Sequence, residues 1–359
     1  MSAIQQIRPR LQAAALLCLV LVHAGCELSS SDEDPVNLGT VIVANQGNFS
    51  DGNGSLTSYD PAARQATMMA SGLASIVQSV EVIGDRIYVA SNTGNRIDVF
   101  AAADGQQVSQ ITDVSSPRYI ARWTSSRIVV TNLFDNTLSI VDIEGGEIIA
   151  TIAVGANPEG VLVRGSEAFV ANHAFGGGNS LSVVNLNTEN VARTIEVDCD
   201  GPRFVFVDAQ QDLLVVCTGQ VLFDSEFNVI GETDGAVLFL DPETGSEKGR
   251  IAVEGMITTA GPGQDAFYSS TLRRLFVVRD QESILVIDTD LDAVIDTIGP
   301  FEGPAIGGVA FHGREGLLYV ARVPGFTQAG RVTMISLENR VVGEFVAGVA
   351  PSHVAFVEP

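Results

Sequence analysis

The sequence predicts an all-β fold: a seven-bladed β-propeller of four-stranded blades, closed by the C-terminal strand joining the first blade. Three observations predict it: a strand motif written seven times, turn residues at regular intervals, and an apolar content of 46% with 36 glycines and 13 prolines. That composition is typical of packed β proteins rather than of disordered chains. Four short strands in each unit of roughly forty residues is the pattern of a propeller blade.

The repeated motif is an apolar strand that in most copies ends in a small polar residue. Its copies span residues 41–45, 87–91, 128–132, 168–172, 214–218, 275–279 and 318–322. This motif is the second strand of each blade. It is followed by a third strand of alternating pattern, which usually ends in Asp or Asn, as at Asp142 and Asn185. A turn, an outermost strand such as 147–154 and a Pro or Gly corner such as Pro158 lead into the next blade. Period-two alternation between turn residues predicts half-buried strands.

The two ends of the repeat array complement each other. The first repeat starts at Gly39 directly in the second-strand motif, so it lacks an innermost strand. The last residues, 351–356, read as an innermost strand with no blade after it. If this last strand pairs with the first repeat, it covers sheet edges that would otherwise be open. We therefore expect one domain, a propeller that spans residues 39–359.

The N-terminal residues differ from the repeats in composition. Arg8 and Arg10 precede an apolar run over residues 11–22. At about 1.5 Å rise per residue such a run cannot cross a bilayer core of about 30 Å. Residues 1–25 are therefore predicted to be a cleavable signal peptide.

A cysteine follows the apolar run. Ala24, Gly25 and Cys26 resemble the lipobox of bacterial lipoproteins, in which the cysteine becomes the acylated first residue, although His23 stands where that family prefers Leu. The resemblance implies lipidation of Cys26, and the alternative is an ordinary secretory signal cleaved near Ala24 or Gly25. The Ser- and Asp-rich residues 26–38 are predicted to be a solvated tether.

The net charge of the chain and its cysteines indicate which classes of partner and which cellular compartment to expect. The formal net charge of −23 disfavours nucleic acid, because an acidic surface repels phosphate backbones. Beyond the signal peptide and Cys26, the chain has one pair of cysteines, Cys199 and Cys217. In an exported chain such a pair favours a disulfide, and two buried thiols are the alternative.

The second-strand motif resembles the YVTN repeat of bacterial and archaeal surface propellers. The first repeat, residues 43–49 followed by 53–56 and 59–61, is similar to the opening blade of surface lipoprotein propellers of Gram-negative bacteria, members of which capture corrinoids (vitamin B12). The resemblance implies a lipid-anchored protein at the outer membrane or cell surface. It also implies a bulky small-molecule ligand, a TonB-dependent transporter as partner, and no cofactor other than a bound corrinoid as ligand. Fold alone does not give function.

One face of the propeller is predicted to hold the ligand. The loops after the second strands share this face with the corners before the innermost strands, and several are longer than a hairpin needs. These loops cover residues 46–54, 133–136, 173–179, 219–235 and 323–330, and they carry Phe49, Phe134, Phe175, Phe223, Phe227 and Phe326. The corners add Gln78, Arg118, Tyr119, Glu159, Arg203, Gln264 and His353. An apolar rim around a polar funnel suits a large, flat, partly apolar ligand or a protein partner.

For individual residues of this face, a structural role is the alternative to contact with a ligand. Arg118 and Arg203 could bind an anionic or amide group, or be salt-bridged rim residues. Some phenylalanines could fold back as loop cores. His173 and His353 could meet, and one could be an axial ligand to corrinoid cobalt or haem iron or only donate a hydrogen bond.

The sequence offers little support for catalysis. No G-x-S-x-G elbow with triad partners is present, and Trp123 is the only tryptophan, so the recurrent tryptophan motif of quinone-dependent propeller dehydrogenases is missing. His312 is predicted on the opposite face, away from His173 and His353, which disfavours a three-histidine metal site. We therefore expect a binding protein that is not an enzyme. An adhesive surface propeller and a lactonase-like, metal-dependent hydrolase are the alternatives.

Overall fold

The computed structural model describes residues 38–359, where thirty strands form seven four-stranded antiparallel sheets and one two-stranded sheet. Helical structure in this range is limited to two 3-10 turns, Asn92–Gly94 and Ala174–Gly176. Neither turn has the length or apolar character of a membrane-spanning helix. The predicted signal peptide (1–25), the lipidation site Cys26 and the tether up to residue 37 lie outside the described residues.

The seven sheets follow the chain as seven blades. The first blade contains β1 (Thr40–Asn45), β2 (Ser55–Asp60) and β3 (Gln65–Ser71). The second contains β4 (Val77–Ile83), β5 (Arg86–Ser91), β6 (Arg96–Ala101) and β7 (Gln107–Thr112). The third contains β8 (Pro117–Arg122), β9 (Arg127–Asn132), β10 (Thr137–Asp142) and β11 (Glu147–Ala153). The fourth and fifth contain β12 (Pro158–Arg164), β13 (Glu167–Asn172), β14 (Ser180–Asn185), β15 (Asn190–Glu196); and β16 (Pro202–Val207), β17 (Leu213–Cys217), β18 (Val221–Phe223), β19 (Val229–Glu232), β20 (Gly235–Leu240), β21 (Glu247–Val253). The sixth blade contains β22 (Ala266–Ser269), β23 (Arg274–Arg279), β24 (Ser283–Asp288) and β25 (Ala293–Ile298). The seventh contains β26 (Ala305–His312), β27 (Leu317–Val323), β28 (Ala329–Ser336) and β29 (Val341–Val349). The last strand of the chain is β30 (Pro351–Val357).

The last strand completes the first blade, which confirms the predicted closure. Strand β30 pairs antiparallel with β1, with Val354 opposite Val43 and Phe356 opposite Val41. The first and last segments of the propeller therefore share one sheet, and β1 has no open edge. The fold is a seven-bladed propeller of four-stranded sheets.

The polar residues that end the repeated strands have structural roles. Asn132 at the end of β9 donates from Nδ2 to Ser139 Oγ on β10 at 2.8 Å, and Asn45 makes the equivalent bond to Thr57. Asp142 at the end of β10 accepts hydrogen bonds from the backbone N–H groups of the next turn, including that of Gly145 at 2.8 Å. Such side-chain bonds to a turn backbone explain why the third strands end in Asp or Asn.

The hydrophobic core is divided among the seven blade–blade interfaces. Each interface has its own cluster of buried apolar side chains. In the interface between the fourth and fifth blades, Phe169 and Leu181 pack with Leu213 and Leu238, all of them fully buried. Because both faces of each blade are covered, the second and third strands are almost continuously apolar.

The fifth blade carries an insertion that the other blades lack. Between β17 and β20 the chain forms the hairpin of β18 and β19, which pairs with no blade; the sequence predicted only a long loop here. The predicted disulfide between Cys199 and Cys217 is confirmed, with Cα atoms 6.1 Å apart, and it lies at the base of this hairpin. Gly219 is required there, since its φ is +78° and a Cβ would lie 2.3 Å from the Thr233 carbonyl oxygen.

Candidate functional site

A pocket of about 380 Å³ lies among the loops that follow the second strands. Its lining combines aromatic rings with buried charged groups: Gln46, Phe49, Ile76, Asn92, Thr93, Arg118, Leu133, Phe134, Glu159, His173, Phe175, Arg203 and Pro262. A larger cleft of about 540 Å³ is bounded by the turns near Asp60, Gly84 and Glu358, but its carboxylates are exposed. We take the pocket with the aromatic rim and buried polar floor as the site, because ligand sites pair apolar walls with a few placed polar groups.

Three phenylalanines form the rim of the pocket. Phe49, Phe134 and Phe175 are 78%, 62% and 66% exposed, and the ring centroids of Phe134 and Phe175 are 6.5 Å apart. Ala174 and Phe175 both adopt left-handed backbone, with φ of 46° and 55°. Such conformations cost roughly 1–2 kcal/mol per non-glycine residue and cluster at functional sites. The loop therefore holds an apolar ring in solvent at an energetic cost.

An ion pair between adjacent blades forms one half of the floor. Arg118 donates from Nε to Glu159 Oε2 at 2.9 Å and from Nη2 to Glu159 Oε1, and its Nη1 donates to Gln78 Oε1. Burial alone would raise the pKa of Glu159, but the charges of Arg118 and Arg203 outweigh burial and hold that pKa below its usual value. Glu159 is therefore ionised, and the three donor nitrogens of Arg118 are all used within the protein.

A second ion pair forms the other half. Arg203 donates from Nη1 to Asp265 Oδ2 and from Nη2 to the Gly263 carbonyl oxygen at 3.1 Å. Asp265 also accepts a hydrogen bond from Thr259 Oγ1. Burial raises the pKa of Asp265 to about 6, although the charge of Arg203 and the hydrogen bond from Thr259 oppose this. Asp265 was not predicted; it directly follows Gln264, which was.

Below the pocket, side chains cross the funnel and close it. Tyr119 donates from its hydroxyl to the Gly263 carbonyl oxygen at 3.3 Å, and its ring lies 5.9 Å from that of His353. Gln78 donates to the Pro262 carbonyl oxygen at 2.6 Å. The Gln264 side chain accepts from the backbone N–H of Val354 at 3.0 Å. These contacts join blades that are distant in the chain.

The two histidines of this face are neutral at pH 7. Burial lowers the pKa of His173 to about 4, against the opposing charge of Glu159. Burial, with the nearby charge of Arg203, lowers the pKa of His353 to about 3. His173 lies 3.1 Å from Thr218 Oγ1 through Nε2, whereas His353 packs on Tyr119. The floor therefore carries two positive and two negative groups.

The structure brings together only part of the predicted site. Seven predicted residues line the pocket: Phe49, Arg118, Phe134, Glu159, His173, Phe175 and Arg203. Tyr119, Gln264 and His353 lie deeper, among the contacts that close the funnel. Phe223 and Phe227 lie on the β18–β19 hairpin, and Phe326 lies beside Gly261. Gln46, Ile76, Asn92, Thr93, Leu133 and Pro262 also line the pocket but were not predicted.

The position of the unpredicted lining residues in the repeat could have identified them. Gln46, Asn92 and Leu133 directly follow the second strands that end at Asn45, Ser91 and Asn132, as His173 follows Asn172. The residue after the motif therefore lines the same pocket in four blades, but three of the four are neither aromatic nor charged. His312 lies at the far end of β26, with Nδ1 2.9 Å from Glu315, as predicted for the opposite face.

No family model and no curated protein sequence matches the chain. Among solved structures it is similar to Kuenenia stuttgartiensis hydrazine synthase, with a TM-score of 0.61 and 18% identity over 77% of this chain and 88% of that one. It is also similar to a quinonprotein alcohol dehydrogenase-like protein from Bacteroides thetaiotaomicron (TM-score 0.64, 12% identity, 89% and 78% covered). A Bacteroides fragilis protein provisionally named 6-phosphogluconolactonase gives a TM-score of 0.66 with 11% identity, covering 91% of this chain and all (100%) of that one. At these identities the likeness shows the fold alone.

These similarities correct one prediction. The sequence led us to expect a chain that is not an enzyme, but its propeller is shared with proteins named as a hydrazine synthase and a 6-phosphogluconolactonase. The prediction was wrong because it relied on the absence of two known motifs, whereas a propeller can carry unrelated chemistries on its loops. Within residues 38–359 no three or more His, Cys, Asp or Glu side chains are grouped to hold a metal ion.

Proposed function

We propose that this protein is an exported, lipid-anchored surface protein that captures a corrinoid or a similarly bulky, partly apolar nutrient for a TonB-dependent transporter. The observation that carries the proposal is the rim of Phe49, Phe134 and Phe175 over a buried polar floor. Exposed aromatic rings in water have no benefit for folding, and burying each against a ligand would contribute about 1.5–3 kcal/mol.

The dimensions of the pocket support capture of one face of a large ligand. Its volume of about 380 Å³ lies within the range of about 300–1,000 Å³ found for small-molecule sites. The three rings are exposed, so a ligand larger than the cavity can rest on them. The resemblance of the first repeat to corrinoid-capturing lipoproteins supports the same ligand class, and the lipobox-like residues before Cys26 support the anchor.

Binding of cyanocobalamin tests the proposal. We expect the purified protein to bind it at one-to-one stoichiometry in a calorimetric titration. Replacing Phe49, Phe134 and Phe175 together by Ala should weaken binding by about 100-fold or more, because three ring contacts are lost. Phe227→Ala is the matched control, since this exposed ring lies outside the pocket. Absence of a signal with cobalamin and with other tetrapyrroles would refute corrinoid capture.

The hairpin of the fifth blade favours a second function, docking of a protein partner. Phe227 at its turn is 86% exposed, and Phe223, Val229 and Ile230 are also exposed. Residues 219–235 contain four acidic residues and no basic residue. An apolar, acidic projection of this kind suits a partner with an apolar cleft and a basic rim.

The two functions are separable by mutation. Replacing Phe223, Phe227 and Ile230 by Ser should abolish chemical cross-linking to a protein partner on the intact cell surface while leaving cyanocobalamin binding unchanged. The triple Ala variant of the pocket rim is the reciprocal control and should keep the cross-link. A hairpin variant that retains its cross-linked partner would contradict docking through the hairpin.

A further inference from the structure

One ring nitrogen of His173 is accessible and has no partner within residues 38–359. His173 directly follows β13, lines the pocket and is partly exposed. Its Nε2 lies 3.1 Å from Thr218 Oγ1, and Thr218 is buried and does not line the pocket. Its Nδ1 makes no hydrogen bond in the described part of the chain, yet it is not one of the buried polar atoms that lack a partner. Nδ1 is therefore reachable from solvent and is the nitrogen left for a ligand.

The hydroxyl of Thr218 determines which nitrogen of His173 carries the proton. Thr218 Oγ1 has one hydrogen, which it donates to a carbonyl oxygen, that of Gly219 at 2.8 Å or that of Gly201 at 3.3 Å. Towards His173 the hydroxyl can therefore only accept, so Nε2 is the donor. Because burial lowers the pKa of His173 to about 4, the ring has a single proton at pH 7. That proton is on Nε2, and Nδ1 is a hydrogen-bond acceptor.

The surroundings of His173 hold its ring in place before a ligand binds. Thr218 directly follows Cys217, which is bonded to Cys199, so the partner of Nε2 lies next to a covalent cross-link. The backbone of His173 is fixed as well, because its carbonyl oxygen accepts from the N–H of Gly178 at 3.0 Å. A ligand that binds a group already held in position has less conformational entropy to offset.

The carboxylates of the pocket floor are bonded inside the protein. The two oxygens of Glu159 both accept from Arg118. Those of Asp265 accept from Arg203 and from Thr259. The imidazole acceptor has no such internal partner, and an acceptor that stays unpaired when a ligand covers it costs about 1–3 kcal/mol. The pocket therefore favours a ligand that brings a hydrogen-bond donor to this nitrogen.

We propose that His173 determines the specificity of the pocket, because its Nδ1 accepts a hydrogen bond from an uncharged hydroxyl or amide group of a ligand whose apolar body packs on Phe134 and Phe175. Phe175 lies two residues after His173, so the acceptor and one ring of the rim belong to the same loop. A ligand whose donor hydrogen is replaced by a methyl group cannot make this bond. The inference rests on the proposed function for the pocket as the ligand site, but it does not require the ligand to be a corrinoid.

Two naphthalene derivatives test the donor requirement. 2-Naphthol and 2-methoxynaphthalene share an aromatic body for the phenylalanine rim, and only the first has a donor hydrogen. We expect 2-naphthol to bind at least about tenfold more tightly at pH 7 in a calorimetric titration, a ratio that corresponds to one net hydrogen bond. Cyanocobalamin is titrated in parallel, because its peripheral carboxamides also carry N–H donors.

Variants assign the preference to His173 and to its tautomer. His173→Phe keeps a flat ring and removes Nδ1, so 2-naphthol should bind about tenfold more weakly while 2-methoxynaphthalene changes little. Thr218→Val removes the acceptor for the Nε2 proton and should reduce the preference, whereas Thr218→Ser should keep it. Nitrogen-15 NMR of the imidazole reports the tautomer, which a merely structural role of Thr218 would leave unchanged. Phe227→Ala is the control that should change neither affinity.

Each outcome supports or overturns the inference. A preference for 2-naphthol that disappears in His173→Phe supports it, and failure of cyanocobalamin to bind in the same experiment refutes corrinoid capture alone. Equal binding of the two naphthalene probes, failure of both to bind, or a preference that persists in His173→Phe overturns the inference. Cyanocobalamin bound equally by the parent protein and His173→Phe then retains corrinoid capture. Thermal unfolding checks each variant first, and if His173→Phe unfolds, the comparison of Thr218→Val with Thr218→Ser decides.

Discussion

Deleting residues 351–359, which contain strand β30, should abolish cooperative folding of the propeller. The deletion removes the innermost strand of the first blade and exposes the edge of β1 from Val41 to Ala44. It also removes Val354 from the interface between the last and first blades and the acceptor for the Gln264 backbone N–H. The loss is comparable to the whole stability of a domain, about 5–15 kcal/mol.

Circular dichroism with thermal unfolding measures this effect. We expect the full chain to unfold in one transition and the truncated chain to show none. Deleting only residues 358–359 is the control, because Glu358 forms an exposed ion pair with Arg314 and such pairs contribute about 0–1 kcal/mol. A truncated chain that still unfolds in one transition at the parent temperature would show that closure does not hold the propeller together.

Repetition made the scaffold predictable from the sequence. The same apolar second strand recurs in all seven blades, so a copy that is hard to recognise in the sequence is identified from the other six. The number of blades follows from the last strand, which completes the first blade. The disulfide between Cys199 and Cys217 was predictable for a different reason: the sequence predicts an exported chain, and only one cysteine pair remains beyond the predicted signal peptide and Cys26.

The site was less predictable because it depends on what departs from the repeat. The sequence placed Arg118 and Glu159 on the same face, and both follow a proline corner. It could not show that they bind each other across a blade interface rather than a ligand. The β18–β19 hairpin was missed as structure because its strands are short and have no counterpart in other blades. As a result Phe223 and Phe227 were assigned to the pocket.

The ion pair of Arg118 and Glu159 leads to the second large effect. Glu159→Ala should lower the free energy of unfolding by about 3–5 kcal/mol, because it leaves the buried guanidinium of Arg118 without its counter-charge. Both partners are almost fully buried, with side-chain exposures of 7% and 4%. For a domain of this size the loss should lower the midpoint of thermal unfolding by roughly 5–10 °C.

A second substitution distinguishes the missing counter-charge from the missing side chain. In Arg118→Met combined with Glu159→Leu no charge is left unpaired, so the double variant should recover most of the stability lost in Glu159→Ala. The matched control is Glu344→Ala, whose ion pair with Arg331 is about half exposed on both sides and should change stability by less than about 1 kcal/mol. Equal destabilisation in the single and double variants would mean that Glu159 stabilises the fold by packing. Recovery of stability in the double variant would instead show that the two charges neutralise each other. The floor of the pocket then has no unpaired charge in this ion pair.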